Sequence, residues 1–295
     1  MVSRESVRAP AVAGSFYAGE RDALSRQIAW CFTHRVGPGA APEAQKSPLS
    51  GPVGYVVPHA GYAYSGPYAA HAYAALARRG TPEVAVLLGP NHHGVGAGLA
   101  LSPHLRWRTP LGELEVDAAL GRRLAELLPS LRPDEAAHRW EHSIEVQLPF
   151  LQHLYGERLP ILPIAMADQG IGASPRSEPG ASLALGRALA EALAGRSAVL
   201  LASSDFSHYL PDAEARKRDR HALEAIQSLD SPGLARAIEE HGISMCGPGP
   251  VMAMMECLRL LGAQRGRLLA YGTSGDTSGD FSSVVAYAAI EMALG

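Results

Sequence analysis

The strongest constraint on this chain is a set of short, nearly unbroken apolar runs, each ending abruptly in polar, ligand-capable residues. Val53–Val57 leads into Pro58-His59-Ala60-Gly61-Tyr62. Residues 83–89 lead into Pro90-Asn91-His92-His93-Gly94, and 198–202 into Ser203-Ser204-Asp205-Phe206-Ser207-His208-Tyr209. Runs of this length without polar alternation are expected where helices cover both faces of a largely parallel sheet. Further strands are predicted at 98–102, 161–165, 267–271 and 283–289. Helical patterns separate them, at about 21–34, 67–79, 116–128, 143–155, 181–194, 212–229, 232–241 and 248–261. That alternation predicts an α/β fold, a single-domain sandwich over residues 1–295 with a central, largely parallel or mixed β-sheet and helices on both faces. Segments 37–52 and 168–179, rich in Gly, Pro and Ala, read as surface loops rather than linkers.

Composition narrows the chemistry. Lys+Arg 26 against Asp+Glu 29, with no block of like charge, argues against a nucleic-acid groove or a polybasic membrane patch. The sequence has no apolar run of membrane-spanning length and no signal-peptide h-region at its start. Cys31, Cys246 and Cys257 are widely spaced without a Cys-x-x-Cys, which fits a reducing compartment, and the expected location is cytoplasmic. Only Lys46 and Lys217 represent lysine, so a Schiff-base or P-loop lysine has almost nowhere to sit. Gly94, Gly96 and Gly98 miss the dinucleotide fingerprint, which needs glycine at Leu99, and no Gly-x-Ser-x-Gly elbow occurs.

Histidine remains. Three separate strands each deliver ligand-capable residues at their C-terminal ends, the edge of an open α/β sheet where sites assemble. His59 and His92 read either as metal ligands, imidazole suiting iron, copper or zinc, or as strand-end histidines bonded to loop carbonyls. His93 either faces away or orients His92. Cys246 precedes a helix beginning at Pro248, where a thiolate is stabilised; the alternative is a small apolar turn residue. Cys31 and Cys257 read as core. Asp205 and His208 share a short loop, so either one orients or charge-pairs with the other, as acid–base work requires, or Asp205 caps the following turn and His208 is a surface residue.

His138-x-x-Glu141-His142 matches the inverted zinc-peptidase pattern, but Ser143 reads as a helix cap, so the five residues are not expected to share one helix. His142 and Glu145 are therefore assigned to structure or to the wall of the site. Gly272-Thr-Ser-Gly-Asp276-Thr-Ser-Gly-Asp280 reads as a chain of turns or a substrate mouth. Phe16, Tyr62 and Tyr64 supply either an aromatic wall or core.

Six motifs together resemble one family, Memo: Pro10-Ala-Val-Ala-Gly-Ser-Phe-Tyr17, PHAGYAYSG from Pro58, GPNHHG from Gly89, EHSIEVQLPF from Glu141, SSDFSHY from Ser203 and CGPGPV from Cys246. Its animal members are known as cell-motility mediators, its prokaryotic ones as protein B of the AmmeMemoRadiSam system. The resemblance implies the fold of class III extradiol dioxygenases, non-haem iron enzymes that open catechol-type rings. It implies a metal site at His59, His92 and Cys246, holding Fe²⁺ or else copper or zinc. It further implies Asp205 and His208 as catalytic residues, with Phe16, Tyr64 and His142 against a small-molecule substrate. A radical-SAM protein and an AMMECR-like protein are the implied partners. Where the dioxygenases have a carboxylate ligand, this sequence offers a thiolate. Two functions follow: a non-haem iron oxidoreductase or redox component acting on a small, aromatic substrate, or a non-catalytic metal-binding or interaction protein that keeps a vestigial site.

Overall fold

The computed structural model describes residues 6–167, 169 and 180–294. Apart from Gln169, the loop predicted at 168–179 lies outside the described residues. The elements in chain order are β1 (Val7–Arg8), α1 (Arg21–Thr33), β2 (Val53–Val57), α2 (Gly66–Arg79), β3 (Val84–Pro90), β4 (Leu99–Leu101), β5 (Arg106–Thr109), β6 (Gly112–Glu115), α3 (Ala118–Leu127), β7 (Leu131–Pro133), α4 (Ala136–Arg139), α5 (Leu148–Tyr155), β8 (Ile161–Met166), α6 (Gly180–Leu193), β9 (Ala198–Ser203), β10 (His208–Leu210), α7 (Asp212–Gln227), α8 (Ser231–His241), α9 (Pro248–Leu261), β11 (Ala263–Thr273), α10 (Ser274–Ser278) and β12 (Val284–Leu294).

The large sheet runs β10-β12-β2-β9-β3-β8-β4-β7, with β11 also paired to β12. Its centre, β2-β9-β3-β8, is parallel. β12 joins antiparallel to β2, and β4 antiparallel to β8. The unbroken apolar runs are explained by two cores. On β9, Ala198, Leu200 and Ala202 enter one hydrophobic layer while Val199 and Leu201 enter the other. β3 divides the same way, Val84, Val86 and Leu88 against Ala85 and Leu87. Period-2 alternation thus operates between two apolar faces, and each buried Val or Leu contributes about 1.5–3 kcal/mol. α6, α8 and α9 belong to the first layer; α1, α2 and α5 to the second.

Two glycines let loops close onto the sheet's C-terminal edge. A Cβ on Gly89, near the end of β3, would overlap Ser143 Oγ and Ile144 Cγ1. One on Gly247, before α9, would overlap Ser203 O at the end of β9. A β-carbon at either position would push a site-bearing loop away.

Some elements differ from expectation. The helix predicted from Ser143 starts as a 3-10 turn, Glu145–Gln147, and becomes α-helical only at Leu148, where Pro149 takes a first-turn position that needs no N–H. Ser143 does not cap it. The 272–280 loop contains the short helix α10, closed by a capping box between Thr273 and Asp276. β1, β5 and β6 form a separate small sheet that the sequence pattern does not predict.

Candidate metal centre

Register brings the site together. Val57 pairs with Ser203, and Leu88 with Ala202, so three strand ends lie side by side. His59 stands two residues beyond β2, His92 two beyond β3, and Asp205 two beyond β9. Among the described residues, His59, His92 and His142 form a group whose potential ligand atoms all lie within 4.8 Å of one another.

Hydrogen bonding sets the tautomers. Tyr73 Oη donates to Gln147 Oε1, which turns the Gln147 amide nitrogen towards Ser203 Oγ at 3.0 Å. Ser203 Oγ donates its one proton to Ser143 O, at 2.7 Å. Its remaining role towards His59 Nδ1, 2.9 Å away, is acceptor, so Nδ1 carries the hydrogen and Nε2 keeps its lone pair. His92 Nδ1 lies 2.9 Å from Glu141 Oε1, and a carboxylate accepts only, so His92 also presents a free Nε2. Burial and the neighbouring imidazoles hold His59 well below its usual pKa. Burial lowers His142 to about 4, against the pull of Glu141. Neutral imidazole is the ligating form, so the donor set fits a transition metal. The histidine triad can hold a metal ion.

Cys246 stands beside it, Sγ 3.1 Å from His59 Nε2. Asp205 N donates to the same sulfur at 3.2 Å. Burial, and next the Asp205 carboxylate, push the thiol pKa up. The geometric group thus contains His142, which sequence reasoning places in the wall, while Cys246 contacts the triad through His59.

Asp205 is buried and accepts from His59 N at 2.8 Å; burial raises its carboxyl to about 6, with the His59 and Ala60 N–H groups among the opposing effects. His208 Nδ1 faces Ser244 O at 2.9 Å, so the imidazole is oriented by a backbone carbonyl rather than by Asp205 as expected. Tyr209 follows in the left-handed region at φ 59°, at a bulge in the β10–β12 pairing. Phe16 packs on His142 with ring centroids 4.6 Å apart, whereas Tyr64 is 48% exposed. Tyr62 is core, its hydroxyl donating to Val146 O. His93 faces away, onto Trp140 O.

α4 ends at Arg139, so His138, Glu141 and His142 do not share a helix; His138 bonds Ala100 O instead. The sequence offered one signal for His142, its place beside Glu141, but only tertiary folding brings it to His92. Cys31 and Cys257 are buried in the core. Among the described residues no helix is long and apolar enough to cross a membrane.

Residues 8–291 match a family model described as Memo-like protein. A MEMO1 family protein of Methanopyrus kandleri is 46% identical over 288 residues, covering 98% of this chain and 99% of the relative. One from Ignicoccus hospitalis is 46% identical over 290 residues, with 98% and 99% covered. The crystal structure of an uncharacterized protein of Escherichia coli K12 superposes with a TM-score of 0.54 at 15% identity, covering 82% of this chain and 99% of that one. That last likeness concerns the fold alone. Matched nearly from end to end by the family model and by these relatives, the chain belongs to the Memo family.

Proposed function

We propose that this chain is a mononuclear metalloprotein of the non-haem iron type, a redox enzyme or redox component acting on a small, aromatic substrate. The observation that carries the reading is a pair of imidazoles, His59 and His92, each with Nδ1 bound to a protein acceptor and Nε2 free, beside a thiol 3.1 Å from the first. His59, His92 and Cys246 are the proposed ligands; His142 forms the wall with Phe16 and Tyr64. A bound divalent metal supplies Lewis-acid and one-electron chemistry there. His208, anchored through Nδ1, keeps Nε2 available for proton transfer at the rim, and Asp205 fixes the His59 backbone beneath it. A radical-SAM protein and an AMMECR-like protein remain the proposed partners.

Anaerobic loading with Fe²⁺, followed by metal analysis, should give about one equivalent per chain. His59→Ala and His92→Ala should lose it. His208→Ala should keep the metal and lose any turnover; loss of metal with His208 refutes the acid–base role. A loaded protein without turnover on any small aromatic substrate supports the non-catalytic reading instead.

A further inference from the structure

We propose that Glu141 is the positioning residue of this centre, a buried carboxylate that holds His92 in ligating orientation, fixes its tautomer and sets His142 beside it in the wall; this rests on the metal-centre reading above. Glu141 is fully buried. Its Oε2 accepts from His92 N at 2.7 Å. Its Oε1 accepts from His92 Nδ1 at 2.9 Å, His142 N at 2.9 Å and Ser143 N at 2.8 Å, and His142 Nδ1 lies 3.4 Å away.

A buried carboxylate is costly unless fully bonded, and this one is. Among the described residues no lysine or arginine pairs with its carboxylate; its partners are His92, His142 and the backbone N–H of Ser143. A carboxylate serving only to tie segments together would more simply face a guanidinium, as Glu145 faces Arg8 in the same segment. Every partner is a donor, so Glu141 works by accepting only. His59 has a neutral hydroxyl in the corresponding place, so the two ligands differ: the anion behind His92 makes its Nε2 the stronger donor.

Substitution by glutamine is nearly isosteric but introduces an N–H₂. Facing His92 N, it opposes donor to donor; turned the other way, it meets three donors and forces His92 Nδ1 to accept, which moves the proton to Nε2 and removes the ligating lone pair. Either arrangement weakens the site.

Two measurements test this. In metal-free wild type, ¹⁵N-detected imidazole NMR should show His92 as the Nδ1–H tautomer; an Nε2–H tautomer overturns the proposal without any variant having to fold. In Glu141→Gln, Co²⁺ affinity should fall about 10–100-fold with a changed d–d spectrum. Affinity and spectrum equal to wild type overturn the positioning role while leaving the metal centre intact. Failure of the wild type itself to bind Co²⁺ overturns the metal centre and this inference together.

Discussion

Cys246 sits one residue before the N-cap of α9, where the helix dipole favours a thiolate, yet burial and the Asp205 carboxylate push its pKa up. The second pair of effects prevails, so the metal-free protein carries a thiol facing the His59 lone pair. With Cys246 as the proposed third ligand, metal uptake has to displace that proton. Titration calorimetry in buffers of different ionisation enthalpy should therefore show about one proton released per metal by wild type at neutral pH. Cys246→Ser should bind at least about tenfold more weakly, roughly 1.4 kcal/mol, whereas Cys31→Ser, buried in α1, should bind as wild type. Unchanged binding by Cys246→Ser assigns the thiol to the turn and leaves His142 as the third donor. A thiolate is also a softer and more oxidisable ligand than a carboxylate, so iron-loaded protein should open simple catechols poorly. Robust ring opening contradicts that expectation. His59 and His92 were legible as strand-end residues and His142 as a wall residue; the grouping of His142 with them was not, because its proximity to His92 depends on Glu141 and on the absent Cβ of Gly89.

At the scale of elements, the segment 141–147 organises the site with three polar side chains. Glu141 holds His92 and His142, Gln147 acts on His59 through Ser203, and Glu145 anchors the N-terminal strand and the turn after it. Glu145 pairs with Arg8 and accepts from Ala11 N, Val12 N and Tyr17 Oη, at 2.7, 3.0 and 2.6 Å. Arg8 in turn stacks over Trp107, 4.3 Å from its ring centroid. This network carries Phe16 onto His142. Glu145→Gln leaves the buried Arg8 guanidinium with the His138 and Glu141 carbonyls but no counter-charge, so a loss of up to about 3 kcal/mol is expected in urea unfolding. Faster hydrogen exchange at Ala11 and Val12 should accompany it; protection equal to wild type would show that the strap is held by other contacts. A structural role for Glu145 was legible, but its pairing with Arg8 was not, since the two are 137 residues apart. The long central strands were, because their apolar runs serve two cores. β5, by contrast, alternates exposed Arg106 and Arg108 with buried Trp107 and Thr109, a four-residue edge pattern too short to stand out.

For the whole molecule, the buried imidazoles govern behaviour towards acid. His138 and His142 are each lowered to about 4, mainly by burial, and His59 is held well below its ordinary value. An unfolded histidine titrates near about 6.5, so between that pH and about 4 the unfolded chain binds protons that the fold refuses. Stability from these groups is present above about pH 6.5 and is lost as pH falls through the window, by roughly 3 kcal/mol for a group displaced this far. Asp205, raised to about 6, acts in the opposite sense: the fold takes up its proton before the unfolded chain does. Asp219, raised by burial, works the same way. His34, His104 and His153 are lowered as well, so six imidazoles stand against two raised carboxyls, and a net loss on acidification begins above the carboxylate range. His138 isolates the effect, because it lies outside the metal site. It donates from Nε2 to Ala100 O, and among the described residues its Nδ1 has no partner to stabilise a second proton. Metal-free wild type should therefore show a urea midpoint that declines steadily from pH 7 to pH 5. His138→Gln, which keeps an N–H for Ala100 but does not titrate, should remove close to one proton from the linked uptake, flattening the slope by about 1.4 kcal/mol per pH unit. Parallel pH profiles for the two proteins would mean that His138 takes up its proton alike in the folded and unfolded chain, the Ala100 carbonyl offsetting burial.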